Sequence, residues 1–150
     1  MHIDGFNLII TLEVALSGSP VFRCMDGTFR DLAGLRGTYR LISRTDEAIR
    51  TAISRLQSLF VARAVFWLDA PVSNSGRLKV RIAEIAEEVG FPVGIELVNN
   101  VDAVLYSLPI AVTSDSAILD CCPSWLNLNG VLIPEVSSVW IVDVMGDGAS

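Results

Sequence analysis

The chain has 150 residues, of which 51% are apolar and 19% are charged, and its formal net charge is −6. This composition argues against disorder, and the length predicts one domain around a single core. The acidic balance argues against a broad nucleic-acid-binding surface, and no apolar run approaches the roughly 20 residues of a membrane span.

The first half of the chain alternates between strand and helix patterns. Its predicted elements, in order, are a strand over Met1–Ile3, a helix over residues 8–16 that ends near Gly18, a loop with short strand pieces over residues 21–44, a helix from Thr45 with a hydroxyl cap, and a buried strand over Ala64–Leu68 closed by Asp69. Acidic residues directly after Thr45 suit the first turn of that helix.

The second half continues the alternation. Its predicted elements are a helix over Leu78–Val89 with Gly90 as C-cap, a strand over Pro92–Val98, a helix over Asp102–Ser107, a strand over Ile110–Thr113, a helix over Asp115–Cys122, a mixed segment over Leu126–Ile133, and a last strand over Val139–Val144. We expect a single domain over residues 1–144 and a flexible tail over residues 145–150.

Apolar strands that alternate with helices predict an α/β fold with a mainly parallel central sheet, covered on both faces as a three-layer α/β/α sandwich of Rossmann type. We expect one residue from each of four strands to lie in this sheet, namely Ile3, Phe66, Ile95 and Val112. In such sheets, ligands bind at the carboxyl ends of the strands.

Four aspartates follow the ends of the predicted strands, and they are Asp4, Asp69, Asp102 and Asp115. They are therefore expected on one edge of the sheet, where their mutual repulsion is relieved by a cation. Oxygen ligands without histidine or thiolate favour Mg²⁺ or Mn²⁺. The alternative for Asp4, Asp102 and Asp115 is helix capping, because each precedes a predicted helix.

Two further segments carry candidate binding residues. Ser73 and Ser75 precede a helix, where they either cap it or contact a phosphate beside Asp69. Residues 23–44 carry five arginines and two aspartates, so this segment is positive within an acidic chain. Arg30 and Arg36 are our candidates for contact with an RNA backbone, and the alternative is a solvated loop with local ion pairs.

Three short motifs resemble a known family. Ile3-Asp4-Gly5-Phe6-Asn7 resembles the strand-end opening of PIN-like and NYN ribonuclease domains. The segments 99–105, with Asp102, and 112–116, with Ser114, Asp115 and Ser116, resemble two later motifs of NYN domains. The loop of residues 68–76 (LDAPVSNSG) is similar to that of a mainly archaeal family of PIN-like proteins.

The resemblance implies a metal-dependent ribonuclease site at Asp4, Asp102 and Asp115, with Asn7 orienting Asp4 or touching the scissile phosphate. Asp69 and Asp120 would be accessory acids, beside Ser73, Ser75, Ser114 and Ser116. The first hypothesis is thus an Mg²⁺- or Mn²⁺-dependent endoribonuclease acting on RNA.

The second hypothesis is a non-catalytic binding or assembly module, with a protein partner or a second copy of the chain. It is favoured by the acidic charge and by Ala117, which stands where NYN domains often carry another acid. Neither hypothesis involves a membrane. The odd number of cysteines, two of them adjacent, and the lack of a signal-peptide pattern predict a cytoplasmic location.

Overall fold

A computed structural model gives the structure of the chain, and it describes residues 1–24, 28–30, 38–106, 108, 111–112 and 128–143. Within these ranges the elements are β1 (His2–Asp4), α1 (Gly5–Leu16), β2 (Pro20–Arg23), β3 (Phe29–Arg30), α2 (Thr45–Ser58), β4 (Ala64–Asp69), α3 (Ser75–Val89), β5 (Val93–Val98), α4 (Val101–Leu105), β6 (Ala111–Val112), α5 (Leu128–Leu132), a 3-10 turn (Ile133–Glu135) and β7 (Trp140–Asp143). The predicted helix over Asp115–Cys122 and the predicted tail over residues 145–150 lie outside the described residues. No helix in the described ranges is long and apolar enough to cross a membrane.

The main sheet has the strand order β5–β4–β1–β6, and all neighbouring strands run parallel. Ile3 pairs with Phe66 on one side and with Val112 on the other, and Phe66 pairs with Ile95. The four residues expected on the sheet therefore form one row across it, and the predicted parallel sheet is confirmed.

The two faces of the sheet are covered differently. Ile3, Phe66 and Leu68 are fully buried in one apolar cluster with side chains of α1, α2 and α3. Because side chains alternate along a strand, Trp67 lies on the other face, where it packs against Val101 and Leu105 of α4. The three-layer arrangement stays a prediction, since residues 113–127 lie outside the described ranges.

A second, smaller sheet joins two strands of residues 20–30 to the last described strand, β7. Its order is β3–β2–β7, with β2 antiparallel to β3 and parallel to β7. The Ser138 hydroxyl, just before β7, donates to the carbonyl oxygens of Ala15 and Leu16 at 3.3 and 3.1 Å. The last strand was predicted, but its place in a separate sheet was not, because a strand pattern does not specify its pairing partner.

Helix ends show one confirmed and one wrong prediction. Gly90 adopts the left-handed conformation after α3, as expected of a C-cap. Thr45 does not cap α2: it is the first helical residue, and Arg44 occupies the N-cap. The Thr45 hydroxyl accepts from the Ile42 amide at 2.9 Å and donates to the Glu13 carboxylate, so it is held by a buried acid.

Candidate active site at the carboxyl edge of the main sheet

Asp4 and Asp69 are the last residues of two neighbouring parallel strands, β1 and β4. Asp102 follows β5 as the second residue of α4. The structure therefore places these three aspartates on the same edge of the sheet, as their positions in the sequence predicted. Asp115 and Asp120 lie outside the described residues, together with Ser114 and Ser116.

Asp4 is placed by the residue that follows it. A Cβ atom on Gly5 would lie 2.5 Å from Leu68 Cδ2 and 3.2 Å from the Trp67 carbonyl oxygen, so α1 begins directly against β4. Asp4 occupies the N-cap of α1, yet its side chain makes no capping hydrogen bond, and only 8% of the residue is exposed. Capping therefore does not account for a carboxylate at this buried position. Asn7, in the first turn of α1, is half-buried.

Asp69 helps to hold the helix that carries Asp102. Its Oδ1 accepts from the Val101 amide at 3.0 Å, and the Asn100 side chain accepts from the Ala103 amide at 3.2 Å. These bonds satisfy two of the free amides at the start of α4. The capping alternative for Asp102 is wrong, because Asn100 is the N-cap, and Asp102 remains half-buried beside it.

The described acids do not form a complete metal centre by themselves. Within the described ranges, no three His, Cys, Asp or Glu side chains are grouped so that they could hold a metal ion. The predicted triad therefore depends on Asp115, and its convergence stays a prediction.

The loop after β4 binds another segment of the chain. Ser73 Oγ accepts from the Tyr39 amide at 2.9 Å and donates to the Tyr39 carbonyl oxygen at 3.2 Å. Asn74 Nδ2 donates to the same carbonyl oxygen at 2.6 Å. Ser75 donates to the Ala70 carbonyl oxygen at 3.2 Å. Neither serine caps α3, because Asn74 occupies the N-cap. Contact of these serines with a phosphate stays a prediction.

Glu13 and Tyr39 form a buried polar cluster that the sequence analysis missed. The Tyr39 hydroxyl donates to Glu13 Oε2 at 2.8 Å, and the Thr45 hydroxyl donates to the same oxygen. Burial raises the pKa of Glu13 above its usual range and also raises that of Tyr39. The available signal was Glu13 itself, the one charged residue within the apolar sequence of α1.

His2 was also missed. The Trp67 indole N–H donates to His2 Nδ1 at 3.1 Å, across the β1–β4 pair. Burial, and then the nearby N-terminal ammonium, lower the pKa of His2. His2 therefore favours the neutral form, and it lies on the same face of the sheet as Asp4.

The described arginines of residues 23–44 lie in different parts of the structure. Arg23 lies over the Phe29 ring at 5.3 Å and 3.8 Å from the Asp143 carboxylate, in the second sheet. Arg44 pairs with Glu47 at 3.1 Å. Arg30 is half-buried on β3, and its interactions within the molecule include at least one polar, ionic or ring contact. Arg36 lies outside the described residues, so the predicted RNA contact of Arg30 and Arg36 stays a prediction.

Comparison with known proteins defines the family. The family described as "Domain of unknown function (DUF5616)" matches residues 1–131, and the chain belongs to it. The chain is 34% identical over 119 residues to the uncharacterized protein MJ0935 of Methanocaldococcus jannaschii. That match covers 79% of this chain and 57% of the relative, so the chain spans little more than half of the relative's length. No solved structure matches the chain.

The source of that relative is an archaeon, which agrees with the archaeal similarity expected from the loop of residues 68–76. Neither description names an activity. The resemblance to PIN-like and NYN domains therefore stays a prediction.

Proposed function

We propose that this chain is an Mg²⁺- or Mn²⁺-dependent endoribonuclease of PIN-like, three-layer α/β/α architecture, with its active site at the carboxyl edge of the main sheet. The observation that supports it is the position of Asp4 in the strand order. The chain adds β4 and then β5 on one side of β1, and it adds β6 on the opposite side.

The topological switch point of the sheet therefore lies between β1 and β6, because the strands before β6 were added on the other side of β1. In open α/β sheets, ligands bind in the crevice outside the carboxyl ends of the strands at such a point. Asp4 ends β1 at this boundary, and Asp115 follows β6 three residues after Val112. The proposed site is therefore centred between β1 and β6.

The donor atoms suit a hard divalent cation. Asp4, Asp102 and Asp115 would hold it through carboxylate oxygens, which Mg²⁺ and Mn²⁺ prefer. When bound, such an ion activates water and stabilises the charge that develops on a phosphate.

The chain's own residues have separate tasks in this proposal. Asn7 lies one helical turn from Asp4 and orients the Asp4 carboxylate or contacts the scissile phosphate. Asp69 positions α4, and with it Asp102, through the Val101 amide. Ser114, Ser116 and Asp120 complete the site as accessory residues.

The deciding experiment is a cleavage assay on a mixed-sequence RNA with Mn²⁺. We expect the parent to cleave and Asp4→Asn to lose at least about 100-fold in rate, because it removes a carboxylate ligand of the cation that would stabilise the reacting phosphate. Glu87→Gln is the matched control, since Glu87 is an exposed carboxylate in the last turn of α3, at the end of the helix that points away from the carboxyl edge of the sheet. Equal cleavage by Asp4→Asn and the parent would contradict the proposal.

A second candidate is a non-catalytic assembly module that forms contacts through an apolar surface. Phe60 favours it, because its side chain is 95% exposed and its backbone has a φ of 59°. Both features cost free energy in an isolated chain, and exposed aromatic residues are common at interfaces. Sedimentation of the parent and Phe60→Ser tests this candidate: a parent dimer that dissociates in the variant, together with no RNA cleavage, would support it.

A further inference from the structure

Some of the described arginines on and near α2 and α3 form ion pairs with described carboxylates, and others do not. Within the described ranges, the paired contacts along α2 and α3 are Arg44 with Glu47 (3.1 Å), Arg50 with Glu88 (2.5 Å), Arg55 with Glu135 (3.2 Å), and Arg81 with Asp46 and Glu84 (both 2.6 Å). Arg40 and Arg77 are exposed, and neither has an ion pair in the described part of the chain. Their charges are therefore available to an external anion.

Arg40 is fixed near the loop that follows Asp69. The backbone of the preceding residue, Tyr39, is held from both sides by Ser73 and Asn74, at distances of 2.6 to 3.2 Å. The Tyr39 side chain is anchored in the core by Glu13. Consecutive Cα atoms are about 3.8 Å apart, so the Arg40 Cα atom lies this far from that of Tyr39, the residue that is hydrogen-bonded to the loop.

Arg77 lies on the other side of the hydrogen bonds that join Tyr39 to Ser73 and Asn74. It stands in the first turn of α3, three residues after Asn74. A helix rises about 1.5 Å per residue, so its Cα atom is about one turn from Asn74. The hydrogen bonds between Tyr39 and the loop of residues 70–74 thus bring Arg40 and Arg77 to the same corner of the carboxyl edge.

We infer that Arg40 and Arg77 bind the backbone of a single RNA strand that extends from the acidic edge over the loop of residues 70–74. This inference rests on the proposed function, since it names where the substrate lies beside that site. Arginine suits the role because its guanidinium group binds a phosphate through two parallel hydrogen bonds.

The charge distribution favours a single strand over the alternatives. A duplex would require a broad basic surface, and the net charge of −6 does not supply one. An acidic protein segment would be repelled by the nearby carboxylates of Asp4, Asp69 and Asp102 unless it also made apolar contacts. A nucleic-acid strand approaches the same carboxylates with its condensed atmosphere of counter-ions, monovalent cations included, which neutralises part of its charge.

The test is fluorescence anisotropy with a labelled mixed-sequence RNA of single-stranded form, in EDTA so that no cleavage intervenes. Each phosphate contact on a single strand contributes about 0.7 to the slope of log affinity against log salt, so Arg40→Ala with Arg77→Ala should lower the slope by about 1.4. The advantage of the parent over this variant should then shrink about 25-fold when the salt concentration rises tenfold.

Arg63→Glu is the matched control. It changes the net charge by the same amount as the double variant, and Arg63 directly precedes β4 at the opposite edge of the sheet. We expect this control to keep the slope of the parent. An unchanged slope in the double variant, or an equal loss in the control, would overturn the inference.

Two further arms separate this inference from the proposed function. Poly-glutamate that binds the parent as tightly as RNA does, with the same dependence on Arg40 and Arg77, would overturn the assignment to RNA. The double variant should retain the Mn²⁺-induced rise in melting temperature, because the metal ligands are intact. A parent that binds RNA through both arginines but cleaves none would support the inference and contradict the proposed activity.

Discussion

Glu13 keeps its carboxyl group in the core between two hydroxyl groups, and this has a consequence for pH dependence. Desolvation raises its pKa, against the lowering effect of the hydrogen bonds from Thr45 and Tyr39. The folded state therefore holds the proton of Glu13 more tightly than the unfolded chain does. The stability contributed in this way is complete below the unfolded pKa and is lost as the pH rises through the folded pKa.

The test is urea unfolding of Glu13→Gln. The amide oxygen can accept the same hydrogen bonds without carrying a charge, so we expect the variant to gain free energy of unfolding relative to the parent as the pH rises above the ordinary glutamate pKa of about 4.3. Glu87→Gln, which removes an exposed carboxylate, should follow the parent. A difference between Glu13→Gln and the parent that stays constant with pH would contradict the expected role of Glu13.

The proposed metal ligands make a second prediction about single residues. Mn²⁺ at about 100 times its dissociation constant should stabilise the parent by about 2.7 kcal/mol, because it binds only the folded state. For a chain of this size that is a rise of about 5–10 °C in melting temperature. Asp102→Asn should lose the rise, and Glu87→Gln should keep it. The same rise in Asp102→Asn and in the parent, measured by calorimetry, would argue against a shared site.

At the scale of elements, α2 ends in an unusual way. The Val61 amide donates to the Leu56 carbonyl oxygen at 3.2 Å and the Phe60 amide donates to that of Gln57 at 3.1 Å, which is the pattern of a Schellman motif. Glycine usually occupies the left-handed position, and Phe60 occupies it here. The aromatic side chain gains almost no burial in return, since it is 95% exposed.

Phe60→Gly should therefore raise the free energy of unfolding by about 0.5–1 kcal/mol. Relief of the left-handed backbone is worth about 1–2 kcal/mol, and the greater freedom of glycine in the unfolded chain offsets part of it. Gln57→Gly, in a right-handed helical position one turn earlier, should destabilise by about 1 kcal/mol. Thermal and urea unfolding measure both, and a destabilised Phe60→Gly would show that the ring has a contact worth more than the strain.

Local patterns were sufficient to predict α1, α3 and the parallel strands, because apolar periodicity records which face of each element is buried. They could not predict the Glu13–Tyr39–Thr45 cluster, since Glu13 is 26 and 32 positions from its two partners and meets them only when the chain is packed. Thr45 resembled a helix cap because its hydrogen bond to the distant Glu13 is not visible in the local sequence. In the candidate site, the shared edge of Asp4 and Asp69 followed from the alternation of strands and helices, whereas the bond from the Val101 amide to Asp69 required the packed structure.

For the molecule as a whole, stability should be concentrated in the middle of the main sheet. β1 lies between β4 and β6 and contributes Ile3, while β4 contributes Phe66, and both residues are fully buried. Among the described strands, β5 has β4 as its one neighbour and β3 has β2 as its one neighbour.

Amide hydrogen exchange should follow this arrangement. We expect the slowest exchange in β1 and β4, intermediate rates in β5, and the fastest strand exchange in β3, because central strands open only with the global unfolding of the core. Exchange monitored by NMR resolves these strands. Equal protection of β3 and β4 would show that the second sheet unfolds together with the first.

The pairing of β2 with β7 also bears on how the chain folds as it is synthesised. Pro20 and Trp140 are neighbours in this pair, although they are about 120 positions apart in the sequence, so closing it carries a large loop entropy. While the ribosome is still making the middle of the chain, β2 can pair with β3 but leaves its other edge open. That edge is a template for pairing with a neighbouring nascent chain until β7 emerges. The second sheet is therefore completed only after β7 has been synthesised, and conditions that slow chain elongation prolong the exposure of β2.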